Sequence, residues 1–137
     1  MQTVDLDGLT VAYRCFGDGP PVLLLHGWPT SSYLWRNVVA PIAEHNHAIV
    51  VDLPGFGESS KPTEGYDFAF FDRVLDGFLE ALGIDQVALG AHDLGGPIAL
   101  HWESPAGAAH PAGVAQHAGL SRILRRGDRL RSYVGQS

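Results

Sequence analysis

The chain has 137 residues, a formal net charge of −6 and a single cysteine, with 45% of its residues hydrophobic and 18% charged. That length suits one domain and is short for two with separate cores. The composition is that of a globular protein, which excludes collagenous, disordered and disulfide-scaffold classes, and the acidic balance argues against a nucleic-acid partner.

The charge is unevenly spread. Up to Trp102, thirteen acidic residues face only Arg14, Arg36, Lys61 and Arg73, whereas from Glu103 onward Arg122, Arg125, Arg126, Arg129 and Arg131 face only Glu103 and Asp128. The opening Met1-Gln2-Thr3-Val4-Asp5 has no basic or apolar leader run, and no segment approaches membrane-spanning length. The expectation is a cytoplasmic protein with no membrane partner. Cys15 has no partner for an internal disulfide and lies in a strand-like run, which predicts an inert thiol.

In chain order, residues 3–6 and 10–16 read as strands joined by Asp7-Gly8, a hairpin dipeptide because both positions tolerate positive φ. Gly17-Asp18-Gly19-Pro20-Pro21 breaks this pattern, and Val22-Leu23-Leu24-Leu25 then has the unbroken apolar character of a strand buried on both faces. It ends at His26-Gly27-Trp28-Pro29. Leu34, Val38, Val39 and Ile42 recur at helical spacing and predict a helix over residues 33–43, capped by Ser31 or Ser32. His47-Ala48-Ile49-Val50-Val51 is a further buried strand, leading into the glycine-punctuated loop Asp52-Leu53-Pro54-Gly55-Phe56-Gly57-Glu58-Ser59. Phe71, Leu75, Phe78, Leu79 and Leu82 mark a helix over residues 68–82, with Gly83 as its C-cap. Residues 86–90 read as a strand and residues 94–102 as the start of the next helix. Strands alternating with helices predict an α/β fold with a mostly parallel sheet, whose sites lie beyond the carboxyl ends of the strands.

The stretch Val87-Ala88-Leu89-Gly90-Ala91-His92-Asp93-Leu94-Gly95-Gly96 is where the chemistry is expected. An apolar run ends abruptly at Asp93, with small residues two before (Ala91) and two after (Gly95), and a helical run follows at once. Small residues at those positions permit a sharp elbow that lifts the apex side chain above the sheet edge. With an aspartate at the apex, an alkyl-aspartate intermediate is the natural chemistry rather than an acyl-serine. The competing reading makes Asp93 an ordinary helix N-cap, its carboxylate accepting N–H bonds from the first turn.

After Trp102 the pattern dissolves. Residues 103–113 carry two prolines and repeated Ala and Gly where a helix should finish and another buried strand should follow. Residues 120–134 have the spacing of a basic amphipathic helix, with Leu120, Ile123, Leu124 and Leu130 on one side. Two units are therefore expected: residues 1–102, and an atypical Ala/Gly/Arg-rich tail over residues 103–137, disordered or of the kind a frameshift or misjoined gene fragment produces.

With His26-Gly27-Trp28-Pro29, Thr30-Ser31-Ser32-Tyr33-Leu34-Trp35-Arg36, the 52–59 loop with Lys61-Pro62, and His92-Asp93-Leu94-Gly95-Gly96 all in place, the chain resembles the α/β-hydrolase fold family. Within it the likeness is to haloalkane dehalogenases and epoxide hydrolases, over residues 1–102. The resemblance implies an α/β-hydrolase fold truncated after the elbow helix. It makes Asp93 a nucleophile toward an sp³ carbon, with the backbone N–H groups of Trp28 and Leu94 as an oxyanion hole. It implies a small hydrophobic substrate such as an alkyl halide or epoxide, with no cofactor and no metal. His26, Gly27, Asp52, Gly55 and Gly57 are read as loop formers. Leu94 stands where many dehalogenases carry a tryptophan for the leaving halide, and the Trp28 indole is either a donor from the opposite wall or a packed aromatic. The family's general-base histidine, its acid partner and the cap belong to later strands, so the alternative is a catalytically incomplete fragment. His101, His110 and His117 match none of these positions and are read as solvated or packing side chains; His45 and His47 are too sparse for a metal site. Missing strands would also leave residues 87–91 as an open apolar edge, which predicts self-association.

Overall fold

The computed structural model describes residues 1–103 and 123–125. Strands β1 (Gln2–Leu6), β2 (Leu9–Phe16), β3 (Pro21–Leu25), β4 (His47–Val51), β5 (Gln86–Ala91) and β6 (Ile123–Arg125) form one sheet in the order β1-β2-β4-β3-β5-β6. The sheet is mixed. The β4-β3-β5 centre is parallel, whereas β1–β2, β2–β4 and β5–β6 pair antiparallel. The expected parallel character thus belongs to the three strands whose carboxyl ends carry the loops singled out above. At the β1–β2 hairpin Asp7 and Gly8 both have positive φ, 52° and 89°, as the dipeptide predicts.

The central strands read as continuous apolar runs because both faces are covered. On one face Val11, Leu23, Leu25, Ile49, Val51 and Leu89 pack against helices α2 (Phe68–Ala81) and α3 (Gly95–Glu103). On the other, Val22, Leu24, Ala48 and Val50 pack against Trp35 and Val39. α2 starts where the Asp67 side chain accepts from the Phe70 N–H at 2.7 Å, and its stripe of Phe71, Val74, Leu75, Phe78 and Leu79 is buried. Full burial of one such side chain contributes about 1.5–3 kcal/mol. Gly83 follows the helix at φ 69°.

Two expectations are corrected. The single helix over residues 33–43 is instead a 3₁₀ turn, Ser32–Trp35, and a short helix α1, Val39–Ala43. Pro41 explains the break. Its ring excludes the carbonyl of residue 37 from a continuous helix, so it is accommodated only in the first turn of a new one. Of the two candidate caps it is Ser31 that acts, accepting from the Tyr33 N–H at 3.3 Å. The second correction concerns the tail. Within the proposed basic helix over residues 120–134, Ile123–Arg125 forms a strand, pairing Gln86↔Arg125, Val87↔Leu124 and Ala88↔Ile123. The edge expected to be open over residues 87–91 is therefore covered at Val87 and Ala88, because the free N–H and C=O groups of a strand edge recruit any segment that reaches them. The remainder of the tail lies outside the described residues.

Candidate active site

β5 delivers its end into a turn rather than straight into α3. The His92 N–H bonds the Leu25 carbonyl at 3.1 Å, extending the β3–β5 pairing by one residue, and Asp93 then adopts φ 53°. A non-glycine residue in this left-handed region carries a backbone cost of order 1–3 kcal/mol that the surroundings must sustain. They do so through two glycines. A Cβ on Gly95 would lie 2.5 Å from the Leu25 carbonyl oxygen, and one on Gly27 would lie 2.4 Å from the Asp93 Cβ. Only glycine lets the start of α3 and the loop after β3 close around the turn.

Asp93 does not behave as an N-cap. The Gly95 and Gly96 N–H groups bond the backbone carbonyls of His92 and Asp93, at 3.0 and 2.9 Å. The Asp93 carboxylate instead accepts from the Trp28 N–H at 2.8 Å and from the Leu94 N–H. These donors, Trp28 first and Leu94 second, hold the carboxyl below its ordinary range, with the nearby His92 acting in the same direction and slight desolvation opposing. Asp93 is exposed and ionised at neutral pH. Trp28, Asp93 and Leu94, proposed together from the sequence, thus meet at one point.

The facing wall is the loop after β3. The Gly27 carbonyl accepts from the Thr30 N–H at 2.9 Å and the Thr30 hydroxyl at 2.7 Å, and the fully buried His26 places Nδ1 3.0 Å from it. His26 Nε2 receives the Leu53 N–H at 3.0 Å, joining this loop to the one after β4. There the buried Asp52 carboxylate accepts from the Ser32 N–H at 2.8 Å and the Glu58 N–H at 2.9 Å, and Ser59 Oγ donates to the Asp52 carbonyl. The His26 and Asp52 side chains bond backbone groups of the loops after β3 and β4, whereas Gly27 packs directly against the Asp93 turn.

Beside Asp93 lies a mostly apolar cleft of about 660 Å³, walled by Trp28, Phe56, Tyr66, Phe68, Phe71 and Leu94. The Trp28 ring is 68% exposed and stands edge-on to Phe56, with centroids 5.6 Å apart. The sequence reading missed Phe56, Tyr66 and Phe68 as cleft residues and Thr30 as a hydrogen-bonding one. Tyr66, a large aromatic in the polar connection before α2, and Phe68, at the first position of α2 outside its buried stripe, were the available signal.

Of the downstream histidines, His101 is a packing residue. Its Nδ1 lies 2.8 Å from Asp72 Oδ2 and its ring stacks on Phe68, while Trp102 Nε1 donates to Asp76, so α3 is clasped to α2. His110 and His117 lie outside the described residues. Among the described residues no group of three or more His, Cys, Asp or Glu side chains is placed to hold a metal ion, and no helix is long and apolar enough to cross a membrane. Cys15 is partly buried, which pushes its thiol up from the ordinary value.

The sequence pattern of the alpha/beta hydrolase fold matches residues 20–104, more than half of the chain. The chain belongs to the α/β-hydrolase fold family. Among curated members of that family, a haloalkane dehalogenase of Mesorhizobium japonicum is 49% identical over 98 residues, covering 70% of this chain and 31% of the relative. A soluble epoxide hydrolase of a Corynebacterium species is 39% identical over 97 residues, covering 71% and 34%. The crystal structure of a haloalkane dehalogenase from Agrobacterium tumefaciens superposes with a TM-score of 0.70 at 38% identity, over 76% of this chain and 36% of that one. The chain therefore spans about a third of the length of the α/β-hydrolases it matches.

Proposed function

We propose that the protein is an aspartate-nucleophile hydrolase of the haloalkane dehalogenase and epoxide hydrolase type. The observation that carries this reading is the Asp93 carboxylate: ionised, exposed, and held by the N–H groups of Trp28 and Leu94, two residues that line an apolar cleft. In the first step a carboxylate oxygen attacks an sp³ carbon. A C–O ester bond forms, the C–halogen or epoxide C–O bond breaks, and the leaving group takes the electron pair. Leu94 offers that leaving group no side-chain donor, whereas the exposed Trp28 indole lines the cleft wall where it departs. In the second step water adds to the ester carbonyl, and the Trp28 and Leu94 N–H groups meet the negative charge that develops there.

Release by water needs a general base within hydrogen-bond reach. Among the described residues both ring nitrogens of His26 are committed to backbone groups and the His101–Asp72 pair clasps α3 to α2, which leaves the exposed His92, directly before Asp93, as the histidine nearest the ester. The reaction is expected to stop at the covalent ester, with His92→Gln as the control for a base beside Asp93. Incubation with 1-bromobutane or styrene oxide, followed by intact-protein and peptide mass spectrometry, tests this. A single adduct on Asp93, absent in Asp93→Asn, is the expected result. Absence of any adduct on folded protein overturns the nucleophile assignment, and sustained release of bromide or diol overturns the arrest at the ester.

A further inference from the structure

The direction of the Trp28 N–H, on which the proposed role of Asp93 rests, is not set by Trp28 itself. Its side chain is exposed and its amide makes one bond, to Asp93. The Gly27–Trp28 peptide is trans, so its C=O and N–H point in opposite directions and whatever holds one aims the other. Three donor positions converge on that C=O: the Thr30 N–H, the Thr30 hydroxyl and His26 Nδ1.

The proton on His26 Nδ1 is assigned by the other side of the ring. The Leu53 N–H donates to Nε2, which must present a lone pair, so the neutral ring carries its hydrogen on Nδ1 and donates it to Gly27. Complete burial favours that neutral form, and the Asp52 carboxylate is the charged group that opposes it. The two loops are thereby coupled in series. The loop after β4 sets the His26 tautomer, the tautomer holds the Gly27 carbonyl, and the peptide plane aims the Trp28 N–H.

We infer that His26 and Thr30 are positioning residues that lock the Gly27–Trp28 peptide plane and so preorganise one of the two donors to Asp93. Neither touches Asp93, and neither is a general acid or base in the reaction. Preorganisation is the quantity at stake, because a donor already aimed at developing charge need not reorient during the reaction.

The lock is read at Asp93 and Trp28 without turnover. In the full chain, NMR follows the Trp28 amide proton and the titration of the Asp93 carboxyl carbon in wild type, Thr30→Val, Thr30→Ser and His26→Gln. Thr30→Val removes the hydroxyl donor while keeping the shape, and Thr30→Ser restores it. His26→Gln retains an acceptor near the Nε2 position and removes the Nδ1 donor. The expected result is an upfield shift of the Trp28 amide and a rise of the Asp93 midpoint toward the ordinary carboxyl value in Thr30→Val, both reversed in Thr30→Ser, and a larger change in His26→Gln. Should His26→Gln fail to fold, the exposed Thr30 pair decides alone. Wild-type signals in folded Thr30→Val overturn the lock, as does a failure of Thr30→Ser to reverse the change. The outcomes separate from those of the proposed function. A low-titrating Asp93 that never alkylates removes the function and leaves the lock, whereas an alkylating Asp93 indifferent to Thr30 removes the lock alone.

Discussion

β4 and β5 are neighbours of β3 in the parallel centre of the sheet, and each runs into a turn bearing an aspartate whose carboxylate accepts two backbone N–H groups. The two units are otherwise opposites. β4 is paired along its length, with β3 on one side and β2 on the other, and Asp52 is 1% exposed with donors drawn from the loops it ties together. β5 pairs with β3 over residues 88–91 but with β6 only over residues 86–88, and Asp93 stands in solvent beside an apolar cleft at a strained φ. Identical coordination therefore serves two ends. A carboxylate enclosed by its donors holds a loop, and a carboxylate with one side open to a cleft is available to an electrophile.

The sharpest way to break the comparison is to exchange stability for chemistry at the two positions. Asp52→Ala removes a buried carboxylate and leaves the partly buried Ser32 and Glu58 N–H groups without their acceptor, and is expected to lower unfolding free energy by about 1–3 kcal/mol in denaturant titration. Asp93→Asn keeps the backbone turn, since Asn tolerates the left-handed region, and is expected to lower the denaturation midpoint far less than Asp52→Ala while abolishing the covalent adduct. If Asp93→Asn unfolds the protein and Asp52→Ala does not, the roles are reversed.

A second break acts on the space around the turn. Gly27→Ala places a Cβ against the Asp93 side chain and the His92 carbonyl. The overpacking is expected to cost about 1–3 kcal/mol and, more diagnostically, to remove the adduct from a protein that still folds. Normal labelling in this variant would mean that the two loops need not approach so closely.

Acid separates two groups of the site by pH. The His26 pKa is lowered by burial, so the unfolded chain binds its proton more readily than the folded one. The stability His26 contributes is complete above the ordinary histidine value near 6.5 and is lost as pH falls through its depressed folded value. Asp93 is also depressed, so its share is present above the ordinary carboxyl value of 3.8 and is lost only as pH falls through a lower one. Unfolding curves against pH should therefore show a His26 loss that precedes the Asp93 loss, and His26→Gln should erase only the first. A single acid transition unchanged by His26→Gln would contradict this order.

Much of this architecture is legible in the residues. The buried runs at Val22-Leu23-Leu24-Leu25 and His47-Ala48-Ile49-Val50-Val51, the Asp7-Gly8 hairpin and the small residues around Asp93 each carry a local physical signature that the fold retains. What was not legible is what depends on approach between distant segments. Apolar spacing over residues 33–43 predicts one helix where the Pro41 ring imposes a break, and the cleft walls carry no such signal because Phe56, Tyr66 and Phe68 share no periodic pattern. The strand at Ile123–Arg125 sits in a stretch of helical spacing and owes its conformation to the edge of β5, which no local pattern announces.

That edge supplies the smallest of the expected effects and sharpens the contrast between the two units. β4 has no free side, whereas β5 owes the cover of its outer side at Val87 and Ala88 to three residues of β6. A proline in place of Leu124 cannot donate to the ladder and constrains the residue before it, so Leu124→Pro is expected to release β6 without touching Asp93 or the cleft. The freed edge is apolar and flanked by a fully paired strand, which is the condition under which strands recruit other chains. Sedimentation at rising protein concentration should then show association in Leu124→Pro that exceeds that of the parent chain, while the Trp28 amide and the Asp93 titration stay at their original positions. Equal association in both proteins would mean that three paired residues do not protect β5. A shift at Asp93 would mean that the edge and the turn of this strand are mechanically one unit, unlike β4, whose turn is held from both sides.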